Sequence, residues 1–297
     1  MGSQCCSEQE EVNPYSKKLI RASFMEVLDK KGNPSSNKQG IIKIYDVENG
    51  VSNTFPVKFS YFKTLDSVSQ LSVGNFIFLC GEQGSFDSGS AFIRFDIAAP
   101  VKSVTILVNS IFRHFKPSMC NFKKDFIITT GGKNNLNCEI FHKTSNKWRK
   151  LAELPEERYG AALVNDDLTD SVYLIGGYNS TTKSYCKTVL KLNLKTGVNW
   201  ETILVTNSTY ISRAFFAIVN PQNTRSVFIF GGQTEEKPST TDIVEYDFHT
   251  KTAALYDYSL NKPSSFDTNT VAEFDNNMFI KDDDNIIHKI SRREAKC

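Results

Sequence analysis

The stretch Val172-Tyr173-Leu174-Ile175-Gly176-Gly177 decides the fold, because its pattern of an apolar run closed by glycine occurs four times. The glycine positions lie 45 to 55 residues apart. Self-similarity at this period is typical of propellers and solenoids, in which each repeat is one supersecondary unit. The other three copies are Phe76-Ile77-Phe78-Leu79-Cys80-Gly81, Phe126-Ile127-Ile128-Thr129-Thr130-Gly131-Gly132 and Val227-Phe228-Ile229-Phe230-Gly231-Gly232.

A second marker is a β-run that closes on an aromatic residue, on leucine or, in the last copy, on isoleucine. It follows each of the four glycine blocks and occurs twice more, near the chain ends. Terminal repeats are commonly atypical, so we interpret the two extra copies as degenerate units at the chain ends. The six copies are Ile44-Tyr45-Asp46, Arg94-Phe95-Asp96, Ile140-Phe141-His142, Lys191-Leu192-Asn193, Glu245-Tyr246-Asp247 and Lys289-Ile290-Ser291.

One unit is clear enough to predict its strands, at 159–164, 172–175, 188–194 and 202–205. Polar turns separate these runs, and the second is apolar at nearly every position, as a strand buried on both faces should be. The glycines that follow allow positive φ and a close approach of neighbouring backbones. We therefore expect structural roles for Gly81, Gly131, Gly132, Gly176, Gly177, Gly231 and Gly232.

The succession of apolar strand, Gly-Gly, spacer, Tyr-Asp and Trp resembles the kelch repeat. The best copy runs from Arg158 through Gly176-Gly177 to Trp200. The unit after Phe126 keeps its glycine pair and Trp148, whereas the unit after Arg213 lacks the tryptophan. The unit that contains Gly81 has one glycine in place of the pair. The resemblance spans roughly residues 20 to 295.

The resemblance implies an all-β chain folded as a kelch-type β-propeller of six four-stranded blades. Five blades plus a flanking hairpin is the alternative count. Kelch propellers close their ring by pairing strands from the two chain ends in one blade, so the same closure is expected in this chain. We predict a leader at 1–16 and a single propeller domain at 17–297.

The composition argues against nucleic acid as a partner. With 35 basic and 33 acidic residues the formal net charge is only +2, and the paired cations such as Lys123-Lys124 are isolated in the sequence, whereas nucleic-acid binders concentrate basic residues on one face. The acidic run at 282–284 is interpreted as a solvated turn, because calcium loops space their ligands around the ion. We expect no metal and no cofactor.

The cysteines indicate a reducing compartment. Seven of them are spread without Cys-x-x-Cys spacing, and no signal peptide is visible. We therefore expect a cytoplasmic protein, and we expect it to be a monomer.

The N-terminal residues Met1-Gly2-Ser3-Gln4-Cys5-Cys6-Ser7 resemble an acylated leader. Removal of Met1 exposes Gly2 for myristoylation, and Cys5 and Cys6 are placed for palmitoylation. One myristoyl chain binds membrane only marginally, so the second signal is required for stable anchoring. The sixth position departs from the usual Ser or Thr. The alternative interpretation is an unmodified polar tail.

The sequence contains no recognisable catalytic motif. Arg158 and Arg213 occupy the same phase of the repeat, just before a first strand. In kelch proteins this region faces the central funnel, so the two arginines either bind an acidic partner or pair with carbonyls between blades.

The sequence leaves two functions open. The first is a noncatalytic protein-protein interaction module, that is, a scaffold or adaptor. The sequence does not identify its protein partner, and acylation would tether the module to the cytoplasmic face of a membrane. The second is a kelch-type enzyme that acts on a small sugar, such as an epimerase or mutarotase, in the central funnel. We expect the interaction module and no enzymatic activity.

Overall fold

The computed structural model describes residues 18–25, 39–58, 61–83, 89–98, 104–221, 225–264, 271–274, 277–281 and 287–291. Within these ranges the chain is almost entirely β, with only two short 3-10 helices at Leu65–Ser67 and Ser208–Ile211. None of the helices found there is long and apolar enough to cross a membrane. The predicted acylation sites Gly2, Cys5 and Cys6 and the acidic run at 282–284 lie outside the described residues.

Twenty-four strands in the described residues form seven antiparallel sheets. In chain order, with a semicolon between sheets, they are β1 (Lys18–Met25), β2 (Gln39–Asp46), β3 (Val51–Lys58); β4 (Ser69–Val73), β5 (Phe76–Glu82), β6 (Ser90–Asp96), β7 (Val104–Ile106); β8 (Ser118–Phe122), β9 (Phe126–Thr130), β10 (Cys138–His142), β11 (Lys147–Lys150); β12 (Ala162–Asp166), β13 (Ser171–Ile175), β16 (Thr188–Asn193), β17 (Glu201–Leu204); the ribbon β14 (Tyr178–Asn179), β15 (Ser184–Tyr185); β18 (Ala217–Val219), β19 (Ser226–Phe230), β20 (Thr240–Asp247), β21 (Thr252–Ser264); and β22 (Val271–Phe274), β23 (Asn277–Lys281), β24 (Ile287–Ser291).

The sheets are arranged as the blades of a β-propeller. The first strand of each blade is its inner strand: β8 lies beside β4 and β12, and β18 lies beside β22. The strands of a blade then follow outward in sequence order. The four-strand order predicted for the unit at 159–205 is found in β12, β13, β16 and β17, although β12 begins three residues later than expected.

The core lies between the blades, and β13 shows why its sequence is apolar throughout. Successive strand residues point to opposite faces. Val172 and Leu174 pack in the cluster shared with the preceding blade, whereas Tyr173 and Ile175 pack in the cluster shared with the following one. Both faces are buried, which explains an unbroken apolar run in an antiparallel sheet.

The prediction of six four-stranded blades was wrong. We count five blades, β4–β7, β8–β11, β12–β17, β18–β21 and β22–β24, and the last has three strands in the described residues. The three-stranded β1–β3 sheet lies between the first and last blades, with Ile42 and Ile44 in the core of the first and Tyr45 and Val47 against Ala272 and Phe279 of the last. This arrangement is nearer to the alternative of five blades with a flanking hairpin.

The expected closure by strand pairing is also not observed in the described residues. β1 pairs with β2 over eight residues, and the β22–β24 sheet contains no strand from the N-terminal region. The physical reason is local: β2 is a long neighbouring partner, and a nearby antiparallel pairing has a lower loop-closure cost than one across the whole chain. Packing of β1–β3 between its neighbours takes the place of pairing.

The glycine pairs lie at the ends of second strands, where other segments of the same blade or of the next blade approach closely. All six residues of the three pairs have φ between 58° and 106°, whereas Gly81, within β5, does not have a positive φ. At Gly176 the constraint is also spatial, because an added Cβ would lie 2.5 Å from the carbonyl oxygen of Arg213 in the next blade. Only glycine meets both conditions without displacing a backbone.

We expect Gly176→Ala to lower the free energy of unfolding by on the order of 3 kcal/mol, because it combines backbone strain with a clash against the next blade. Gly50→Ala is the matched control: Gly50 has a similar φ of 66° but no atom within 4 Å of the added Cβ, so it should lose about 1 kcal/mol. Urea titration of both variants measures the difference. Equal losses would show that the close approach is unimportant.

Candidate functional site

The candidate site lies at one end of the blades, which we call the Gly-Gly end. The first and second strands of a blade are antiparallel, so the start of the first and the end of the second meet there. The segments before β8, β12 and β18 therefore lie next to Gly131, Gly176 and Gly231 of their own blades. The loops that join second to third strands belong to the same end, which makes it the part of the scaffold most open to recognition.

Arg158 is buried at this end, with 1% of its surface exposed. Its guanidinium donates hydrogen bonds to the carbonyl of Gly176 at 3.2 Å and to the carbonyl and hydroxyl of Thr188. The Glu156 carboxylate accepts another at 2.6 Å. Arginine suits this position because its planar group presents several donors in fixed directions.

Arg213 repeats the arrangement one blade later, again 1% exposed. It donates to the carbonyl of Gly231 at 2.7 Å and to that of Tyr210 at 2.7 Å, and lies 3.8 Å from the Asp242 carboxylate. Burial lowers the pKa of the Arg213 guanidinium to about 10, while Asp242 acts in the opposite direction. The group therefore remains charged at neutral pH.

These contacts favour a structural role for the two arginines, but within one blade and not between blades as the sequence interpretation had it. Both guanidiniums are directed at carbonyl groups of their own blade, and neither has an exposed face to offer to a ligand. A partner-binding role for Arg158 and Arg213 in a funnel stays a prediction, but the exposed part of the site must be sought in neighbouring residues.

His114 occupies the corresponding position in the preceding blade, and the sequence reasoning gave it no role. Its Nδ1 lies 2.8 Å from the carbonyl oxygen of Gly131 and its Nε2 lies 2.9 Å from the Glu139 carboxylate, with both side chains fully buried. Glu139 also accepts the backbone N–H groups of Ile111 and Phe112. Spacing was the available signal, since His114 precedes its glycine by 17 residues and each arginine precedes its own by 18.

Three half-buried rings and two lysines lie beside His114, Arg158 and Arg213. Phe115 and Tyr159 have ring centroids 6.2 Å apart, and Tyr159 meets Phe215 edge to face at 4.9 Å. Lys116 Nζ lies 5.5 Å from the centre of the Phe215 ring, and the exposed Lys133 lies 5.9 Å from that of Phe115. We call these five residues the aromatic row, and they span three successive blades.

Backbone hydrogen bonds between blades hold the aromatic row in place. Phe215 donates its N–H to the carbonyl of Gly160 in the preceding blade at 2.8 Å, and Lys116 donates to that of Ser67 at 2.7 Å. Lys116 and Phe215 both have φ of 54°, a left-handed conformation that side chains other than glycine adopt only when the surroundings require it. The row is therefore a preorganised surface.

The β14–β15 ribbon extends this surface beyond Tyr159. Tyr159 and Tyr178 exchange backbone hydrogen bonds of 2.9 and 2.8 Å, and the ring of Tyr178 lies 5.2 Å from that of Tyr185. Burial, with the nearby Tyr178 and Glu235, raises the pKa of the Tyr185 hydroxyl. Phenols next to lysines present both hydrogen-bond donors and apolar area to a partner.

Buried carboxylate contacts tie the ribbon to the neighbouring blade. Glu157 is 6% exposed, and its carboxylate accepts the N–H of Asn134 at 2.7 Å and the hydroxyl of Ser180. Asn134 belongs to the loop after Gly132, whereas Ser180 belongs to the ribbon. The two loops are thus fixed relative to one another and form one continuous platform.

The four cysteine thiols of the described residues are buried. Burial raises the pKa of the Cys186 thiol to about 11 and that of Cys138 to about 12, and it also raises the pKa values of Cys80 and Cys120. Thiolates are the reactive form, so these buried thiols are not activated nucleophiles. Within the same ranges no three His, Cys, Asp or Glu residues are placed to hold a metal ion.

Comparison with protein families and with curated proteins finds no match to this chain.

We expect Arg213→Met to lower the free energy of unfolding by about 3 kcal/mol, because two buried carbonyls lose their donor while the apolar volume of the side chain is largely kept. Arg225→Met is the control, since Arg225 is exposed and its replacement should change stability by about 0.5 kcal/mol or less. Chemical denaturation compares the two. An Arg213 variant as stable as its control would mean that the guanidinium is free to serve a ligand.

Proposed function

We propose that this protein is a noncatalytic interaction scaffold built on a kelch-type propeller, and that its protein partner binds the aromatic row. The observation that carries the proposal is the row itself, in which Phe115, Tyr159 and Phe215 stand half-exposed with Lys116 and Lys133 beside them. Aromatic residues dominate the binding energy of protein interfaces when they are rigidly presented.

The kelch assignment is supported by a contact that recurs from blade to blade. In each case a side chain placed before the first strand reaches the carbonyl of the first glycine of the pair, from Arg158 to Gly176 and from Arg213 to Gly231. His114 makes the same contact with Gly131. This repeated geometry links the arginine and the Gly-Gly pair that carried the resemblance in the sequence.

Rigidity favours binding at the row over other exposed surfaces. The blade-to-blade hydrogen bonds of Lys116 and Phe215 and the Glu157 contacts fix the backbone before any partner arrives. A surface already in its binding conformation avoids the entropy cost of ordering loops on association. The row also offers cations for electrostatic complementarity, which increases the association rate with an acidic partner.

A scaffold of this kind would have no sugar epimerase or mutarotase activity. The two arginines that a funnel enzyme would use are engaged with carbonyls, and the described thiols are buried with raised pKa values. Polarimetric assays with sialic acid and with a reducing sugar test this directly. Turnover that disappears in a Tyr159→Ala variant of unchanged stability would replace the scaffold by the enzyme.

We propose in addition that acylation at Gly2, Cys5 and Cys6 tethers the scaffold to the cytoplasmic face of a membrane. The support is the leader sequence, in which one myristoyl signal is followed by two adjacent cysteines. The propeller at 17–297 then acts as a single monomeric domain held at the surface by residues 1–16.

We expect a photo-crosslinking amino acid placed at Lys133 to capture a discrete partner in cells, because Lys133 is exposed beside Phe115. The matched position is Lys195, an exposed lysine in the turn between β16 and β17 at the opposite end of the blades. Capture from 133 should fall at least tenfold on Tyr159→Ser, since hot-spot aromatics commonly contribute about 2 kcal/mol or more. Equal capture from both positions, or no effect of Tyr159→Ser, would contradict binding at the row.

We expect protein made in a eukaryotic cell to carry one myristoyl group and to partition into membranes, and Gly2→Ala to lose both properties. Cys5→Ser with Cys6→Ser should keep the myristoyl mass but bind membrane only weakly and reversibly, because one acyl chain is marginal. Intact mass spectrometry with membrane flotation measures the two effects. An unmodified N-terminus and a fully soluble wild type would remove the tether and leave the interaction surface untouched.

A further inference from the structure

Among the five blades, positive charge is concentrated in the β8–β11 blade. Residues 111–155, which form the β8–β11 blade and its connections, contain nine lysines and arginines but three aspartates and glutamates, a net charge of +6. The whole chain has a net charge of +2, so the remainder is net negative by four. The limits of the blade are needed to see this excess, because the cations are scattered along residues 111–155.

The outer strand of this blade differs from the other outer strands. β11 reads Lys147-Trp148-Arg149-Lys150, and its three cations are exposed. In comparison β7 and β17 contain no lysine or arginine, and β21 has one lysine in thirteen residues. Lys147 and Arg149 form no ion pair with the described residues, so their charge is available to an outside partner.

An apolar strip runs beside these cations. The segment before β8 runs alongside β11. The carbonyl of Val108 accepts the indole N–H of Trp148 at 3.0 Å, and the ring of Phe112 lies 4.7 Å from Lys150 Nζ. Two aliphatic side chains of this segment are solvent-exposed, Val108 at 43% and Ile111 at 37%. We call Val108, Ile111, Lys147, Arg149 and Lys150 the basic edge.

Protection of an open strand edge explains only part of this pattern. Lysines on an edge strand discourage pairing with another chain, and that accounts for β11 alone. It does not account for exposed Val108 and Ile111 alongside. Nor does the nearby Glu139 neutralise the edge, because its carboxylate is buried against His114 and backbone N–H groups.

We infer that the basic edge is a contact surface for an anionic membrane. Lysine and arginine beside exposed aliphatic side chains are the combination that binds the interface of anionic bilayers, where charge attracts and short apolar groups insert. An acidic protein segment would use the cations but gain little from two isolated aliphatic residues. The contact rests on the proposed membrane location for its biological meaning, since the acylated leader would bring the edge to a lipid surface.

The test uses full-length unacylated protein made in bacteria, so that the edge is measured without the tether. Cosedimentation compares vesicles of phosphatidylcholine alone with vesicles that also contain phosphatidylserine. We expect binding to the anionic vesicles only, and a decline as salt is raised because the attraction is screened. The failure of the tether in cells would leave this result unaffected, and the failure of vesicle binding would leave the acylation result unaffected.

The charge variant replaces Lys147, Arg149 and Lys150 by glutamine. We expect it to lower the partition coefficient on the order of 100-fold, from the usual contribution of each cation near an anionic surface. The control removes the same charge elsewhere by Lys183→Gln, Lys187→Gln and Lys237→Gln, three exposed lysines of other blades, and should change binding about twofold or less on the same principle. Equal losses in both variants would reduce the effect to net charge and overturn the proposal.

The apolar variant is Val108→Thr with Ile111→Thr, which keeps branched side chains. It should weaken binding several-fold while the salt dependence persists, whereas Leu168→Thr with Val198→Thr, at exposed positions of another blade, should not. Soluble polyglutamate serves as the probe for an acidic protein partner. If polyglutamate binds in an edge-dependent manner while anionic vesicles do not, the surface belongs to a protein and the membrane assignment is wrong.

Discussion

A buried side-chain N–H donor that reaches the carbonyl of a glycine makes the contact on which three successive blades depend. Where the second strand of a blade ends, the chain must turn in a left-handed conformation, and the carbonyl of the first glycine is left without a strand partner of its own. Arg158, Arg213 and His114 supply that donor. An unpaired buried carbonyl is costly, so the contact joins the start of each inner strand to the end of the next strand outward.

The position of the aromatic row follows from this contact. Phe115 and Tyr159 come directly after the anchored donor of their blade, His114 or Arg158, so this donor determines the position of the ring that follows it. The adjoining positive-φ residues, Lys116 and Phe215, then bond to the preceding blade and carry the alignment from one blade to the next. A surface for recognition thus arises from residues whose backbone geometry is demanded by blade packing.

The parts of this structure that could be predicted from sequence are those in which a single strand has a diagnostic residue pattern. The apolar run of β13 and its glycine pair predicted a buried strand and a turn, because both faces of that strand are covered by its neighbours. The ring closure was not predictable, since β1 and β3 have no glycine marker and their pairing is a choice between local and distant partners. The burial of Arg158 was equally hidden, because it depends on the approach of backbone from Gly176. His114 was not predicted because the other two blades have arginine at this position, although the position requires only a donor.

The β1–β3 sheet contacts its neighbours in the propeller differently from the other sheets. In the described residues it meets the first and last blades through side chains such as Ile42 and Tyr45, and no strand pairing crosses either boundary. The other blade boundaries are also packed by side chains, but backbone hydrogen bonds such as Lys116 to Ser67 and Phe215 to Gly160 cross them, and none of the backbone bonds among the described residues joins the β1–β3 sheet to a neighbour. Regions with few shared backbone bonds open at lower free energy than the rest of a fold. We therefore expect the boundaries of the β1–β3 sheet to open at lower free energy than the boundaries between the central blades.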